Sequence, residues 1–500
     1  MQKNSKSLKI LMIATECTPI AKAGGLGDVI GALPKALTQL GHEIRIVIPK
    51  YLCIELEKYN FQKVINDTKI ALPNGKSEKV NIYRSFLPET LIPIYLVENN
   101  KYFEGTDKGP YNLQGKKGKL AYIFLSRVSL ELLKIWDWQA NIVHSHDTMT
   151  AIVPKWLHTT YKDNPFYNPI ASILTIHNII TQTKLKWYYL KYLGLGRNDF
   201  AVERHYAKFS KINTLATGIE SADIINTVSP TYAREITTKR YGGGLYKLLQ
   251  TKRGRLFGIL NGIDYGLFDP RIDENVIENY DEKNFEEGKT KNKLALQKKF
   301  NLPQTADLPL ICIVSRLTGQ KGLELFDDVL KQLIDMGAQF IILGSGKEKI
   351  EKMFIKAEKD YPKQIATNIE FDADLAQFIY AGSDMLLMPS KFEPCGLSQI
   401  IAMRFGTIPI VRKTGGLADT VRDHYTGFVF KHYDANAMLW VIRQAVDKFY
   451  NDKDGWKKMI LRCMKKDFSW KASAKKYVRL YRKAISYHKN NHPDLSKRQV

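Results

Sequence analysis

Apolar runs of strand length recur along the chain, and most are followed by a longer amphipathic stretch. LKILMIA (8–14) reads as a buried strand. A glycine-rich turn follows it, residues 28–40 carry helical spacing, and EIRIVIP (43–49) is a second strand. This is a βαβ unit, so a parallel sheet is expected. IPIYLV (92–97), NIVHSH (141–146), ASILTIH (171–177) and ADIINTVS (222–229) extend the first series. A second series begins after Pro309 with LICIVS (310–315), FIILGS (340–345), MLLMPS (385–390) and IPIVR (408–412). Between them, residues 271–308 are polar, highly charged and without strand signals. The pattern predicts two doubly wound α/β halves joined near residue 265. Ligands of open α/β sheets sit beyond the carboxyl ends of the strands, so two such halves facing each other predict a deep cleft. No internal repeat or low-complexity segment interrupts the pattern.

Composition narrows the class. The chain has 500 residues, 44% hydrophobic and 25% charged, which suits two globular cores. No apolar stretch reaches the length of a membrane span. The lysine-flanked N-terminus reads as a first strand, because its apolar run is short and leads to Glu16 and glycines with no small-residue cleavage site. Five widely spaced cysteines without a C-x-x-C pair predict a reduced, cytoplasmic chain with no structural zinc. The net charge of +24 comes from lysines dispersed over the whole length. That argues for a solvated basic surface over a nucleic-acid block.

Candidate chemistry gathers at the ends of the strands. KAGGLGDV (22–29) follows the first strand and opens a helix. Gly24 and Gly25 let backbone N–H groups approach an anion, Lys22 adds a cation, and Asp28 sits in the first turn. It is neither a G-x-G-x-x-G fingerprint nor a Walker loop, and a turn of this kind also serves a purely structural role. VSRLTGQKG (314–322) places Arg316 and Lys321 in one loop. They suit a diphosphate leaving group; a pair of solvated cations is the alternative. PSKFEPCGLSQ (389–399) offers Glu393 and the backbone N–H groups of Cys395, Gly396 and Leu397. A carboxylate there can hold sugar hydroxyls and stabilise positive charge at an anomeric carbon, or simply cap a helix. No base lies near Cys395 in sequence to make it a nucleophile. HSHD (144–147) and TIHN (175–178), both at strand ends, place His144, His146, Asp147, His177 and Asn178 toward the same cleft. Their spacing favours hydrogen bonds to sugar hydroxyls over a metal site. KTGGLADTV (413–421) repeats the glycine theme with Gly415 and Gly416.

These motifs, together with TVSPTYAREI (227–236) and ILNGID (259–264) and in this order, resemble those of bacterial glycogen synthases and plant starch synthases. The resemblance runs from about residue 8 to 480. It implies a GT-B fold with two Rossmann-like domains. Residues 1–264 would form the acceptor side, with a C-terminal helix over about 476–500 packing back on it. Residues 265–475 would form the nucleotide-sugar side. It implies transfer of glucose from ADP-glucose to the non-reducing end of an α-1,4-glucan, with retention, no cofactor and no required metal. A UDP-glucose-dependent transferase with another acceptor is the alternative. The resemblance assigns Lys22, Gly24, Gly25, Asp28, Asn261, Phe371, Cys395, Gly396, Leu397, Gly415 and Gly416 to the donor. It gives Glu393, His177, Arg316, Lys321 and Asp147 to catalysis and Tyr102 to the acceptor. Neither nucleic acid nor membrane is an implied partner.

The departures cluster in the first half. Ala121, Thr148, Thr181 and Ala216 stand where the family commonly has other residues, and Ile401 replaces a common tyrosine. Ile401 also breaks the E-x₇-E pattern that a related family of retaining transferases would start at Glu393.

Overall fold

The computed structural model describes residues 7–103, 109–110, 115–202, 205, 211–370 and 372–491. The chain divides into two compact units. One takes the chain up to Val228, then Ala233–Gly262 and Trp470 onward; the other takes Ser229–Tyr232 and Ile263–Ser469. The short piece Ser229–Tyr232 departs from a simple boundary for a local reason. The Ser229 hydroxyl donates to the Pro394 carbonyl at 2.6 Å, and the Asp419 carboxylate accepts from both the N–H and the hydroxyl of Thr231 at 2.7 Å.

The first unit is built on strands β1 (Lys9–Ile13), β2 (Glu43–Pro49), β3 (Gln62–Ala71), β4 (Ser77–Phe86), β5 (Pro93–Glu98), β6 (Ile142–His146), β7 (Ala171–Ile176), β8 (Lys184–Leu185), β9 (Ile212–Asn213), β10 (Ile224–Thr227) and β11 (Leu256–Gly258). Nine of them form one sheet in the order β11-β10-β7-β6-β1-β2-β5-β4-β3, while β8 and β9 make a small separate ribbon. The sheet is parallel from β11 to β5; β4 and β3 add an antiparallel hairpin at the edge. The run of fully buried residues in β6 and β7 is what a parallel strand covered on both faces requires.

The second unit carries β12 (Leu310–Val314), β13 (Gln339–Leu343), β14 (Ile365–Asn368), β15 (Met385–Met388), β16 (Ile408–Arg412) and β17 (Phe428–Phe430). Their order, β14-β13-β12-β15-β16-β17, is all parallel. It is the doubly wound order whose direction reverses between β12 and β15. In the first unit the same reversal lies between β1 and β6.

The polar stretch 271–308 packs into the second unit through buried lysines on the helix Phe285–Lys299. Lys289 Nζ donates to the carbonyls of Ala381 and Phe405 and to Thr407 Oγ1, and burial lowers its pKa to about 7. Lys293 pairs with Asp384 at 2.7 Å and donates to the Ala306 and Leu308 carbonyls.

The C-terminal helix begins at Trp470, ahead of the start near 476 read from the sequence, and runs to Asn491. Trp470, Ala474, Tyr477, Tyr481, Ala484 and His488 form one buried stripe at helical spacing. It packs on the helix Gly25–Gln39 and on β7 and β10. Polar pins fix its register. Asn226 Nδ2 donates to Tyr477 Oη at 3.1 Å, Tyr481 Oη bonds His144 Nδ1 at 3.0 Å, and His488 bonds both Asp223 and the Asn168 carbonyl.

His158, Asp223 and His488 bring their ligand-type atoms within 4.8 Å of one another. The geometry is that of an ion-paired latch, since Asp223 also accepts from the N–H and hydroxyl of Ser172. Burial works to raise Asp223, but hydrogen bonds from His158 and His488 outweigh it and hold the carboxyl well below its ordinary range. Burial works to lower His488, and the bonds to Asp223 raise it above 6.5 on balance. A raised histidine contributes stability that is complete below 6.5 and is lost as pH climbs through its folded value. His488→Ala should therefore cost up to about 3 kcal/mol near pH 6, the low end for one broken partner of a buried pair, and clearly less at pH 9. Thermal denaturation at the two pH values checks this; an equal loss at both would contradict the latch.

Candidate functional site

In the second unit the candidates meet where the strand order reverses. The loop after β12 carries Arg316 and Lys321, and the loop after β15 carries Glu393. Lys321 Nζ lies 2.7 Å from Glu393 Oε2, and the Ser390 hydroxyl donates to the same oxygen at 2.9 Å. Glu393 is 5% exposed. The two loops are zipped together by Lys391 N–H on the Gln320 carbonyl at 2.8 Å and by Gln320 Nε2 on the Phe392 carbonyl at 3.2 Å. Buried Arg412 donates through Nε to the Ser390 carbonyl at 2.7 Å. Arg316 is exposed, and its guanidinium has no ion-pair partner among the described residues.

The glycines of TGG have a packing role. A Cβ on Gly415 would overlap the Glu393 carbonyl, and one on Gly416 would overlap the Cys395 backbone. Gly415 also sits at φ +44°, and the Gly416 N–H donates to the Glu393 carbonyl at 3.0 Å. Glycine is what lets the turn after β16 press against the Glu393 loop. Cys395 is buried, Gly396 adopts φ +74°, and Gln399 Nε2 donates to both of their carbonyls at 3.0 Å. Leu397 precedes the helix Ser398–Arg404.

In the first unit the loop after β1 is organised by Glu16, which the sequence reading did not single out. Its buried carboxylate accepts from the N–H groups of Ala23 at 2.7 Å and Gly24 at 2.6 Å. The Gly24 N–H is thus engaged by Glu16, while Gly25 opens the helix in an exposed position. Lys22 Nζ pairs with Asp28 Oδ1 at 2.7 Å, and both side chains remain accessible to solvent.

Asp147 adopts φ +55° at the end of β6 and accepts from the N–H of His177 at 2.7 Å and of Asn178 at 3.3 Å. Burial raises its carboxyl to about 7 against the lowering effect of those two N–H bonds. His177 Nε2 is 3.1 Å from His146 Nδ1, and burial lowers His177 to about 3 and His146 well below its ordinary value. The rings are neutral at physiological pH. His144, read with them as facing a ligand, is instead fully buried between Tyr481 Oη and Thr175 Oγ1. Asn261 is buried, and its Oδ1 has no hydrogen-bond partner among the described residues.

Tyr102 lies apart from these groups. It is 4% exposed, its ring stacks on Phe124 at 4.6 Å between centroids, and its hydroxyl reaches Glu78 at 3.4 Å. In this position it is core packing and presents no ring face to a sugar. Phe371 lies outside the described residues. Of the departures, Thr148 is held in a hydrogen-bond network. Thr148 Oγ1 accepts the Thr183 N–H at 2.8 Å and shares a bond with Thr214 Oγ1 at 2.9 Å. Ala121 and Ala216 are fully buried.

Residues 9–251 match the starch synthase catalytic domain, and residues 296–458 match glycosyl transferases group 1. The chain is 42% identical over 488 residues to the glycogen synthase of Thermosipho melanesiensis, covering 96% of this chain and 99% of that one. The chain belongs to the glycogen synthase family. The glycogen synthase of Moorella thermoacetica is 39% identical over 488 residues, with 96% and 98% covered. The catalytic domain of starch synthase IV from Arabidopsis thaliana, bound to ADP and acarbose, superposes with a TM-score of 0.87 at 31% identity, covering 96% of this chain and 100% of that one. A sucrose-phosphate synthase from Thermosynechococcus elongatus, at 18% identity and TM-score 0.59, shares the fold. As a glycogen synthase family member with the GT-B fold, the chain is a retaining glycosyltransferase. No helix among the described residues is long and apolar enough to cross a membrane.

The raised carboxyl of Asp147 gives a test within this family framework. A carboxyl lifted from its ordinary 3.8 to about 7 costs stability progressively as pH rises through that interval. Asparagine keeps an oxygen for the His177 and Asn178 N–H groups and tolerates positive φ. Relative to wild type, the melting temperature of Asp147→Asn should therefore improve between pH 5 and pH 8.5. A difference that does not change with pH would show that the carboxyl is not held protonated.

Proposed function

We propose that the chain extends an α-1,4-glucan by transferring glucose from ADP-glucose to the non-reducing 4-hydroxyl, with retention and without a metal. The Lys321–Glu393 pair, with Arg316 on the same loop as Lys321 and without an ion-pair partner among the described residues, carries this reading. Breaking the bond between the anomeric carbon and the diphosphate puts negative charge on the leaving group and positive charge on the sugar. The second unit holds a complementary set in one place. Arg316 and Lys321 meet the diphosphate, and Glu393 faces the sugar. Preorganised charges of this kind act on the transition state more than on the ground state.

In this scheme the first unit serves the acceptor. Neutral His177 and Asp147, whose carboxyl burial raises to about 7, are hydrogen-bonding groups suited to uncharged hydroxyls. Lys22 and Asp28 flank the exposed start of the first helix and are assigned to the donor. Asn261, with a buried oxygen lacking a partner among the described residues, is available to a sugar hydroxyl. The protein cations take the place of a metal, so chelation should not stop the reaction. The similarity to a starch synthase bound to ADP supports the adenine nucleotide.

The direct test is transfer of labelled glucose to glycogen from ADP-glucose and from UDP-glucose, each with and without EDTA. The expected result is a clear preference for ADP-glucose and full activity in EDTA. Equal or better use of UDP-glucose would overturn the donor, and dependence on added magnesium or manganese would overturn the metal-free mechanism.

A further inference from the structure

His146 is the last residue of β6, and its side chain is fully buried. It therefore meets no ligand directly, although its motif points toward the site. Residues 144 and 146 share one face of the strand at the two-residue period. Three imidazoles stand in a row as a result: the rings of His144 and His146 are 4.1 Å apart between centroids, and those of His146 and His177 are 5.3 Å apart. The inner end of the row is anchored, since Tyr481 Oη and Thr175 Oγ1 hold the two nitrogens of His144. At the outer end His177 is half-buried. The backbone of His146 is clamped as well. Its N–H donates to Thr150 Oγ1 at 2.7 Å, and its carbonyl accepts from the same hydroxyl at 2.8 Å.

The His146 ring makes one hydrogen bond among the described residues, from Nδ1 to His177 Nε2 at 3.1 Å. Its Nε2 is buried without a hydrogen-bond partner among them. A buried polar atom left unpaired is destabilising, and a leucine would fill the same core position without that cost. What the imidazole adds is the bond to His177. Burial keeps both rings neutral, so a single proton lies between the two nitrogens. When His146 donates it, His177 carries its own proton on Nδ1; when His177 donates it, Nδ1 is a bare acceptor. In both cases the tautomer of His177 is tied to that of a ring packed in the core. With Nε2 taken, Nδ1 is the nitrogen left for a substrate.

We propose that His146 is a positioning residue for glucosyl transfer: through Nδ1 it fixes the orientation and the tautomer of His177, so that His177 Nδ1 meets a sugar hydroxyl as one defined hydrogen-bonding partner. The role of His177 rests on the proposed function; the coupling of the two rings rests on the geometry alone.

Two variants of the full chain separate positioning from packing. His146→Leu fills the core, deletes the bond and removes the unpaired nitrogen. His146→Asn leaves a smaller side chain but keeps a polar group near the place of Nδ1. With ADP-glucose and glycogen, His146→Leu should lose about tenfold in kcat, the scale of one hydrogen bond, with a smaller change in KM for ADP-glucose and no loss of melting temperature. His146→Asn should recover part of that kcat while melting lower, so that activity and stability run in opposite order. Nitrogen NMR of histidine-labelled protein gives a readout without substrate, with the His177 signals assigned by their loss in His177→Gln. His177 should show a single tautomer in wild type and a mixture in His146→Leu. A mixture in wild type, the same tautomer in His146→Leu, a kcat equal to wild type in His146→Leu, or activities that simply follow stability would overturn the proposal. The spectrum needs no substrate, so a wild type that transfers no glucose refutes the proposed function, and a tautomer mixture in it refutes the coupling.

Discussion

The pairing of partly buried Lys321 with buried Glu393 constrains the construction of the second unit. Taking two charges out of water costs several kcal/mol each before their attraction and hydrogen bonds offset it. Lys321 and Glu393 make that arrangement tolerable only because their loops are locked at close range. Gln320 and Lys391 join the loops, Ser390 bonds the carboxylate, and Arg412 holds the Ser390 carbonyl. The glycines at 415 and 416 are demanded by the same closeness. The strand order puts the pair where a parallel sheet changes direction, so both loops leave the sheet side by side.

The first unit uses carboxylates in the opposite way. Glu16 and Asp147 collect backbone N–H groups and hold the turns after β1 and β6 in place. The rings beside Asp147 are kept neutral by burial. The Lys321–Glu393 loops therefore present fixed charge, and the ends of β6 and β7 mostly uncharged hydrogen-bonding groups. That division matches the difference between an ionic leaving group and a neutral glucan hydroxyl.

Much of this was legible in the sequence. Strands buried on both faces announce themselves as continuous apolar runs, which is why β1, β2, β5, β6, β7, β12, β13, β15 and β16 were read at or near their places. The hairpin β3–β4 was not, because QKVINDTKIA and SEKVNIYRSF bury few side chains and read as polar. Buried lysines hid the packing of 271–308; Lys289 and Lys293 look solvated until the carbonyls around them are known. The loop motifs located Lys321 and Glu393, but spacing could not say that they touch. Glu16 carried no signal, since a carboxylate that serves neighbouring N–H groups has no motif beyond lying before glycines. Adjacency to Asp147 drew His144 into the site and the family resemblance drew in Tyr102; the burial of β6 on both faces and stacking on Phe124 take them into the core.

In the proposed mechanism Lys321 is held by Glu393 until a diphosphate claims it. The most direct measurement is the affinity for ADP of wild type and of Glu393→Gln, by calorimetry at one salt concentration. Removing the carboxylate charge frees Lys321 and removes a repulsion, so ADP should bind severalfold more tightly. The same variant should turn over ~10²–10³ more slowly, the scale of losing one preorganised electrostatic group. Unchanged or weaker ADP binding in Glu393→Gln would contradict the claim.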